Sequence, residues 1–450
     1  MNTRRNKHRR QNRSNRNRNR NKNKNRNISK RKNKNIKRTY KAVQSHKVHT
    51  YKPTGGAAVK AGSYGCVFSP NLTCAHNQGS HIPGARHGAD SVDGSMISKL
   101  MYKKDADHEL AELSELNSLL AQIPNQEKYF LSRSTYSCIP RELSNSDLKN
   151  FETCNMLTEH GIKSNNVNLH LDELRILNMK NGGMDIDDYL SKVTSEHGNS
   201  DASLKILNTN LIKLLKFGII PLNRLNFNHY DVKSGNVLID DHLEVKLIDW
   251  GLASSHDGKN IPRIITNRSF AFNIPYSIIF FNDFIKHWIR DEFRKHHLIG
   301  SSTGKNETIR IIAINLVNLI IHNHSGHETT IVHIFRRLYR EYLEPEEGGF
   351  ISSSISTSNL VEYVYNVIVK YTDDLGHFND VAFFNEVFAF NSDIFGFVII
   401  YESILNKLKL PRLMEDKIVK ILLKYCVGSE FAVKRIDVDI LVKELEDITN

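Results

Sequence analysis

The chain is organised around one polar octet, His229-Tyr230-Asp231-Val232-Lys233-Ser234-Gly235-Asn236, and around Asp249-Trp250-Gly251, whose aspartate follows Asn236 by thirteen residues. Between them lie two short runs with strand character, Val237-Leu238-Ile239 and Glu244-Val245-Lys246-Leu247-Ile248, joined by Asp240-Asp241-His242. This pattern predicts a hairpin. A hairpin returns the chain to its starting point, so a fold open to this sequence has to set Asp231 and Asp249 on either side of one small volume. The residue types gathered there are those that phosphoryl transfer uses: a carboxylate to take the proton of an attacking hydroxyl, and oxygen ligands for magnesium. Asp231 is the candidate base and Lys233 a point charge beside the migrating group. Asn236 and Asp249 carry the hard oxygen atoms that Mg²⁺ prefers. Taken singly, His-x-Asp and Asp-Trp-Gly are ordinary turn sequences; their joint spacing carries the expectation.

The pattern H-x-D-x-K-x-x-N followed by D-x-G resembles the catalytic and metal loops of protein kinases. Upstream, Gly62-Ser63-Tyr64-Gly65-Cys66-Val67-Phe68 resembles the second half of the kinase Gly-rich loop G-x-G-x-x-G-x-V, with Lys60 where the first glycine belongs. Glycines there let backbone N–H groups approach phosphate oxygens. The resemblance implies that Lys60, Ala61, Gly62, Ser63, Tyr64, Gly65 and Val67 border ATP. It also implies that Lys99, in the strand-like run Met96-Ile97-Ser98-Lys99-Leu100-Met101, holds the α- and β-phosphates and pairs with a glutamate of the next helix. Apolar spacing predicts that helix over 106–123. Glu109, Glu112 and Glu115 are its candidate partners. Glu112 is preferred, because its offset from Leu116, Leu119 and the helix end best matches the family, and Glu109 ranks second.

Leu174-Arg175-Ile176-Leu177-Asn178-Met179, then Asn181-Gly182-Gly183 and the helical pattern over 185–190, resembles the last small-lobe strand, the hinge and the first large-lobe helix. This implies adenine contacts from backbone near Met179. An apolar helix over 204–217 then leads into the octet. The fold class implied is α+β and bilobal, protein-kinase-like, with a small β-rich lobe over 55–180 and a larger helical lobe over 181–450. ATP and Mg²⁺ are the implied cofactors and a protein hydroxyl the implied acceptor.

The resemblance thins after Asp249. Asn273-Ile274-Pro275-Tyr276-Ser277 stands where most kinases have A-P-E, and Tyr230 replaces the arginine of H-R-D. That arginine holds an activating phosphate in kinases switched by loop phosphorylation, so constitutive activity or control by a partner is expected. Ser392-Asp393-Ile394-Phe395-Gly396 resembles the start of the large-lobe helix whose aspartate braces the catalytic loop, more than a hundred residues late. Residues 278–391 therefore read as an insertion of amphipathic helices, for example over 308–322 and 332–343. Gly-Cys-Val-Phe-x-Pro, Asn-Gly-Gly, Phe-Asn-x-Pro-Tyr-Ser and Ser-Asp-Ile-Phe-Gly-Phe together resemble the divergent serine/threonine kinase-like proteins of giant DNA viruses. Lys233, two residues after the aspartate, is the serine/threonine signature. Two alternatives stand beside it. One is a small-molecule phosphotransferase of the aminoglycoside or choline kinase type, which also carries Gly before Asn and Ile-Asp-Trp. The other is a pseudokinase used as a binding module.

Composition is split. Residues 1–50 carry 20 Lys or Arg and no Asp or Glu, whereas the other 400 carry 42 basic and 49 acidic side chains. With almost no apolar side chains, the tail is expected to be disordered. It is expected to attract nucleic acid or another acidic partner through phosphate-type contacts, or to act as a nuclear address. The five cysteines, Cys66, Cys74, Cys138, Cys154 and Cys426, form no C-x-x-C pair and are odd in number, so reduced thiols in a cytosolic-type compartment are expected. Cys74 with His76, His81 and His87 lacks paired zinc-ligand spacing. No apolar run reaches the roughly 18 residues of a spanning helix, and 311–321 and 394–405 read as core helices. No membrane partner is expected. The location expected is inside a host cell, in cytoplasm or nucleus, or in a virion.

Overall fold

Alternation of buried and half-buried residues marks the first part of the chain as sheet: in Gly65–Ser69, Cys66 and Phe68 point inward while Val67 and Ser69 do not. The computed structural model describes residues 56–62, 65–80, 96–132, 135–195, 200–268, 271–296, 305–323 and 348–450. The tail 1–50, Ser63, Tyr64, His81, His87 and the helix expected over 332–343 lie outside the described residues. Six antiparallel strands, β1 (Ala57–Gly62), β2 (Gly65–Ser69), β3 (Cys74–Ser80), β4 (Met96–Tyr102), β5 (Tyr136–Pro140) and β6 (Leu174–Lys180), form one sheet in the order β1-β2-β4-β6-β5-β3. The period of two divides its faces. Phe68, Leu100 and Ile176 join Phe151, Leu157 and Val167 in one core cluster. Met101 and Leu177 pack with Ala106 of helix α1 (Lys103–Leu120) on the other side. Lys99 shares that second face and lies in register with Val67 of β2 and Leu177 of β6.

After β6 the chain turns through Asn181-Gly182-Gly183. Gly183 has φ +94°, and a Cβ there would meet the Ile239 carbonyl oxygen at 2.0 Å, so only glycine lets the turn close on the next sheet. That sheet has three strands, in the order β10 (Val245–Leu247), β9 (Val237–Ile239), β7 (Met184–Asp185). The β9–β10 hairpin expected from the sequence is present, with Val237 opposite Leu247 and Ile239 opposite Val245.

The remainder is helical. Ile186–Ser195 and Ser200–Leu214 precede the octet, the latter prolonged by a π turn Leu215–Ile219 and by Ile220–Arg224. Asp283–Lys295, Lys305–Asn323, Gly348–Tyr371, Arg412–Leu422 and Val438–Asp447 follow. The described helices of 278–391 share one hydrophobic core with the rest of the region: Ile312, Leu316, Val364 and Ile368 belong to the same cluster as Leu207, Leu211 and Ile400. Phe280 stacks on Phe378, and Phe281 on Phe383, at ring distances of 4.8 and 5.7 Å. The described chain is thus mixed α+β, with a sheet region and a helical region.

Within the Gly-, Ser- and His-rich stretch after residue 70, Cys74–Ser80 is the edge strand β3, paired to β5. Two expectations are corrected. Asp393 does not start a helix; it lies within a helical run, Asp380–Lys407, since the apolar face continues back through Phe383, Phe384 and Phe388 across a π turn. By length and composition this run is the one membrane-span candidate among the described residues, yet 83% of its apolar window is buried inside the protein, the expected place of a core helix. Finally, four cysteines are not thiols. Cys66 is bonded to Cys154 and Cys74 to Cys138, with Cα atoms 5.3 and 5.7 Å apart. Folding brings these distant positions to disulfide range; Cys426 alone is free, and it is buried.

Candidate active site

The octet is held from behind by a single carboxylate. Asp393, 1% exposed, accepts hydrogen bonds from the backbone N–H groups of His229 (2.9 Å) and Tyr230 (2.7 Å), and from the side chains of Asn223 (2.7 Å) and Asn228 (3.3 Å). Four donors satisfy the oxygens of a carboxyl group that burial alone would leave without partners. The helix that carries it comes close because residue 396 is glycine: a Cβ there would lie 2.5 Å from the Val232 carbonyl oxygen and 3.0 Å from that of Asn273. Tyr230 sits at φ +57°, and burial pushes its phenol pKa well up.

His229 is fully buried, and desolvation lowers its pKa despite Asp393, Asp231 and Asp249 nearby. Its two nitrogens agree with a neutral ring: Nε2 donates to the Ile248 carbonyl at 3.0 Å and Nδ1 accepts from the Asp231 N–H at 3.3 Å. The backbone N–H of Ile248 in turn donates to the Asn236 carbonyl at 2.9 Å. Ile248 is therefore tied at both ends to the octet, and Asp249 follows it at φ +66°. This tie brings the two halves of the sequence pattern together.

Asp231 is the hub. Its Oδ2 accepts from Lys233 Nζ (2.7 Å) and Asn236 Nδ2 (2.8 Å), and its Oδ1 from Asn273 Nδ2 (2.9 Å). Asn236 Nδ2 also reaches the Asp231 carbonyl at 2.8 Å. Burial works to raise the Asp231 pKa, but the Lys233 and Asn273 hydrogen bonds and the Lys233 charge outweigh it, and the pKa is lowered. Asp231 is a carboxylate at neutral pH. With Nδ2 of Asn236 committed to Asp231, its Oδ1 takes no hydrogen bond from a described residue. The Asp249 carboxylate, exposed, likewise has no hydrogen-bond or ion-pair partner among the described residues. Two open oxygen ligands fit Mg²⁺, which keeps waters and takes phosphate oxygens for the rest of its octahedron. Among the described residues no group of three or more His, Cys, Asp or Glu side chains is arranged to hold a metal by itself.

The expected nucleotide-binding residues sit in the sheet region. Lys60, Ala61, Gly62, Gly65 and Val67 lie on the β1–β2 hairpin, with Lys60 opposite Val67 and Gly62 opposite Gly65. Lys60 does not stop at the hairpin. Its amine bonds the buried Asp185 carboxylate at the end of β7, and this bond, with the charges of Asp185, Asp188 and Asp187, raises its pKa against the effect of burial. Met179 is a β6 residue opposite Ile97, half-buried, two residues before the turn.

Lys99 Nζ bonds Glu109 Oε2 at 2.6 Å. Among the described residues the partner is thus Glu109, the candidate ranked second; the side chain of the preferred Glu112 lies outside the described residues. Ala106, Leu113, Leu116 and Leu120 form the buried stripe of α1. At about 100° per residue Glu109 falls inside that arc, facing the sheet, and Glu112 falls outside it.

Sequence reasoning missed two residues. Asn273 was assigned only to the place of A-P-E, yet it bonds Asp231 Oδ1 and, at 3.1 Å, the Val232 carbonyl. The available signal was a polar residue set inside the apolar run Phe272-Asn273-Ile274-Pro275-Tyr276. Arg268 lies with Nη2 3.9 Å from Asp231 Oδ1, its side chain 8% exposed. Burial lowers its pKa, offset in part by Asp231, Asp393 and Tyr230. Nothing in its sequence neighbourhood marked it. Cys74, bonded to Cys138, is no zinc thiolate. No protein-family profile matches the chain, and no match is found among curated proteins.

Proposed function

We propose that this chain is a serine/threonine protein kinase of bilobal architecture, using ATP and Mg²⁺, with the nucleotide between the sheet region and the helical region. The observation that carries the reading is the Asp231 hub: an ionised carboxylate bonded by Lys233 and Asn236, on a backbone fixed by Asp393 and tied through Ile248 to Asp249. Lys99 held by Glu109 supports it from the other side of the proposed cleft. Magnesium on Asn236 and Asp249 would neutralise charge on the triphosphate. Asp231 receives the proton of the acceptor hydroxyl as that oxygen bonds the γ-phosphorus. The bond from the γ-phosphorus to the bridging oxygen breaks, and ADP leaves with the electron pair. Lys233 keeps the Asp231 carboxylate oriented and balances the phosphoryl charge. Residues 1–50 add a polycationic segment suited to an acidic partner or nucleic acid.

The test is transfer of label from ATP with Mg²⁺ to generic protein acceptors and to small hydroxyl or amine acceptors, beside Asp231→Asn. General-base catalysis is typically worth about 10²–10⁴-fold, and a loss of that size in Asp231→Asn, with label on serine or threonine of protein, is the expected result. Label on small molecules alone moves the assignment to a small-molecule phosphotransferase. Nucleotide binding with no transfer to any acceptor overturns the enzyme reading in favour of a binding module.

A further inference from the structure

The Asp231 carboxylate offers about four lone-pair directions. Three are filled, two on Oδ2 by Lys233 and Asn236 and one on Oδ1 by Asn273. One direction on Oδ1 is left. The guanidinium of Arg268 is the charged group on that oxygen, with Nη2 at 3.9 Å, inside ion-pair range and beyond hydrogen-bond range. Its Nη1 is buried with no hydrogen-bond partner among the described residues. A gap of this length between a donor and an acceptor is the span that one bridging oxygen closes. A hydroxyl has the matching chemistry, because it donates one hydrogen bond and accepts another.

We propose that Arg268 completes the acceptor-hydroxyl site: the hydroxyl of the substrate donates to Asp231 Oδ1 and accepts from Arg268 Nη2. The inference rests on the kinase reading and adds the oxygen of Asp231 that acts and the residue that aims the acceptor at it. In the transfer step the hydroxyl proton moves to Oδ1, the new oxygen–phosphorus bond forms, and ADP departs as above. Arg268 keeps all its protons and holds the oxygen in line.

Arg268→Met and Arg268→Lys, in the full chain, test this. Misplacing a reacting group by about 1 Å costs on the order of 10²-fold, so Arg268→Met is expected to lower kcat/KM for the protein acceptor about 100-fold. Its affinity for a fluorescent ATP analogue with Mg²⁺ should stay within about twofold of wild type on the same argument. Arg268→Lys, which restores a donor and a charge, recovers part of the loss in the acceptor parameter. Unchanged acceptor kcat/KM in Arg268→Met overturns the inference. So does an equal loss of nucleotide affinity and acceptor turnover in both variants, which marks a purely structural role. If wild type transfers label to nothing, the kinase reading falls first and this inference falls with it; wild-type transfer that survives Arg268→Met removes this inference alone.

Discussion

A lysine on a strand serves a phosphate only while its amine is aimed, and a flexible four-carbon stem is not aimed by the strand alone. Glu109 supplies the aim, with its oxygen 2.6 Å from Lys99 Nζ and both side chains about a quarter exposed. Such a partly exposed pair contributes little to stability, so its loss should register in turnover and leave the melting temperature nearly unmoved. Glu109→Gln is expected to lower kcat/KM for ATP by roughly 10- to 100-fold, the cost of a misplaced group, while Glu112→Gln stays within about twofold by the same measure. Steady-state kinetics at varied ATP decides it, and equal losses in the two variants would sink the assignment. The helix phase needed to choose Glu109 was in the sequence: Ala106, Leu113, Leu116 and Leu120 set the buried arc. Matching offsets to a family pattern instead gave weight to the helix end, which the structure ends at Leu120 rather than at 123. Arg268 had no such signal, because a lone arginine reads as solvated surface until the fold buries it.

At the scale of elements, the hairpin β9–β10 and the strand β4 were legible because their periodicity is local. The brace of the octet was legible only as a likeness, since Asp393 acts over 163 residues on Tyr230 and no local pattern reports a contact of that range. Gly396 shows what the contact requires. One added methyl would press on the Val232 and Asn273 carbonyls at 2.5 and 3.0 Å, both backbone atoms without freedom to swing away. Gly396→Ala is therefore expected to cost about 1–3 kcal/mol of stability, the usual penalty of overpacking. It should also shift Asp231 enough to lower kcat by about 100-fold. The two effects separate by measurement: thermal unfolding reports the first, and single-turnover transfer at a temperature well below the melting point reports the second. Full turnover in a folded Gly396→Ala protein would show that the helix does not set the position of the octet.

For the whole molecule, the sharpest disagreement between sequence and structure concerns the cysteines. An odd count without C-x-x-C is a statement about composition, and it carries no information on which sulfurs the sheet brings together. Cys74 and Cys138 meet because β3 pairs with β5, and Cys66 meets Cys154 where β1 and β2 pack on the segment after Phe151. The two bonds close loops of 64 and 88 residues, both within the region that carries the Gly-rich hairpin and Lys99. Cross-links of that length typically contribute about 2–4 kcal/mol each, chiefly by restricting the unfolded chain, while the helical region, with only the buried Cys426 free, gains nothing from them directly. A denatured, unreduced chain is therefore expected to show one reactive thiol, and five after reduction. Cys66→Ser with Cys154→Ser is expected to lower the thermal midpoint and to weaken nucleotide binding, with the octet left in place because Asp393 and Ile248 hold it independently of either bond. Five reactive thiols in the unreduced denatured protein would remove both bonds and restore the reading of a reduced chain. One thiol, with linked peptides 66–154 and 74–138 in an unreduced digest, would establish that the six-stranded sheet is covalently stapled, and that oxidation has to be complete before the proposed cleft reaches full stability.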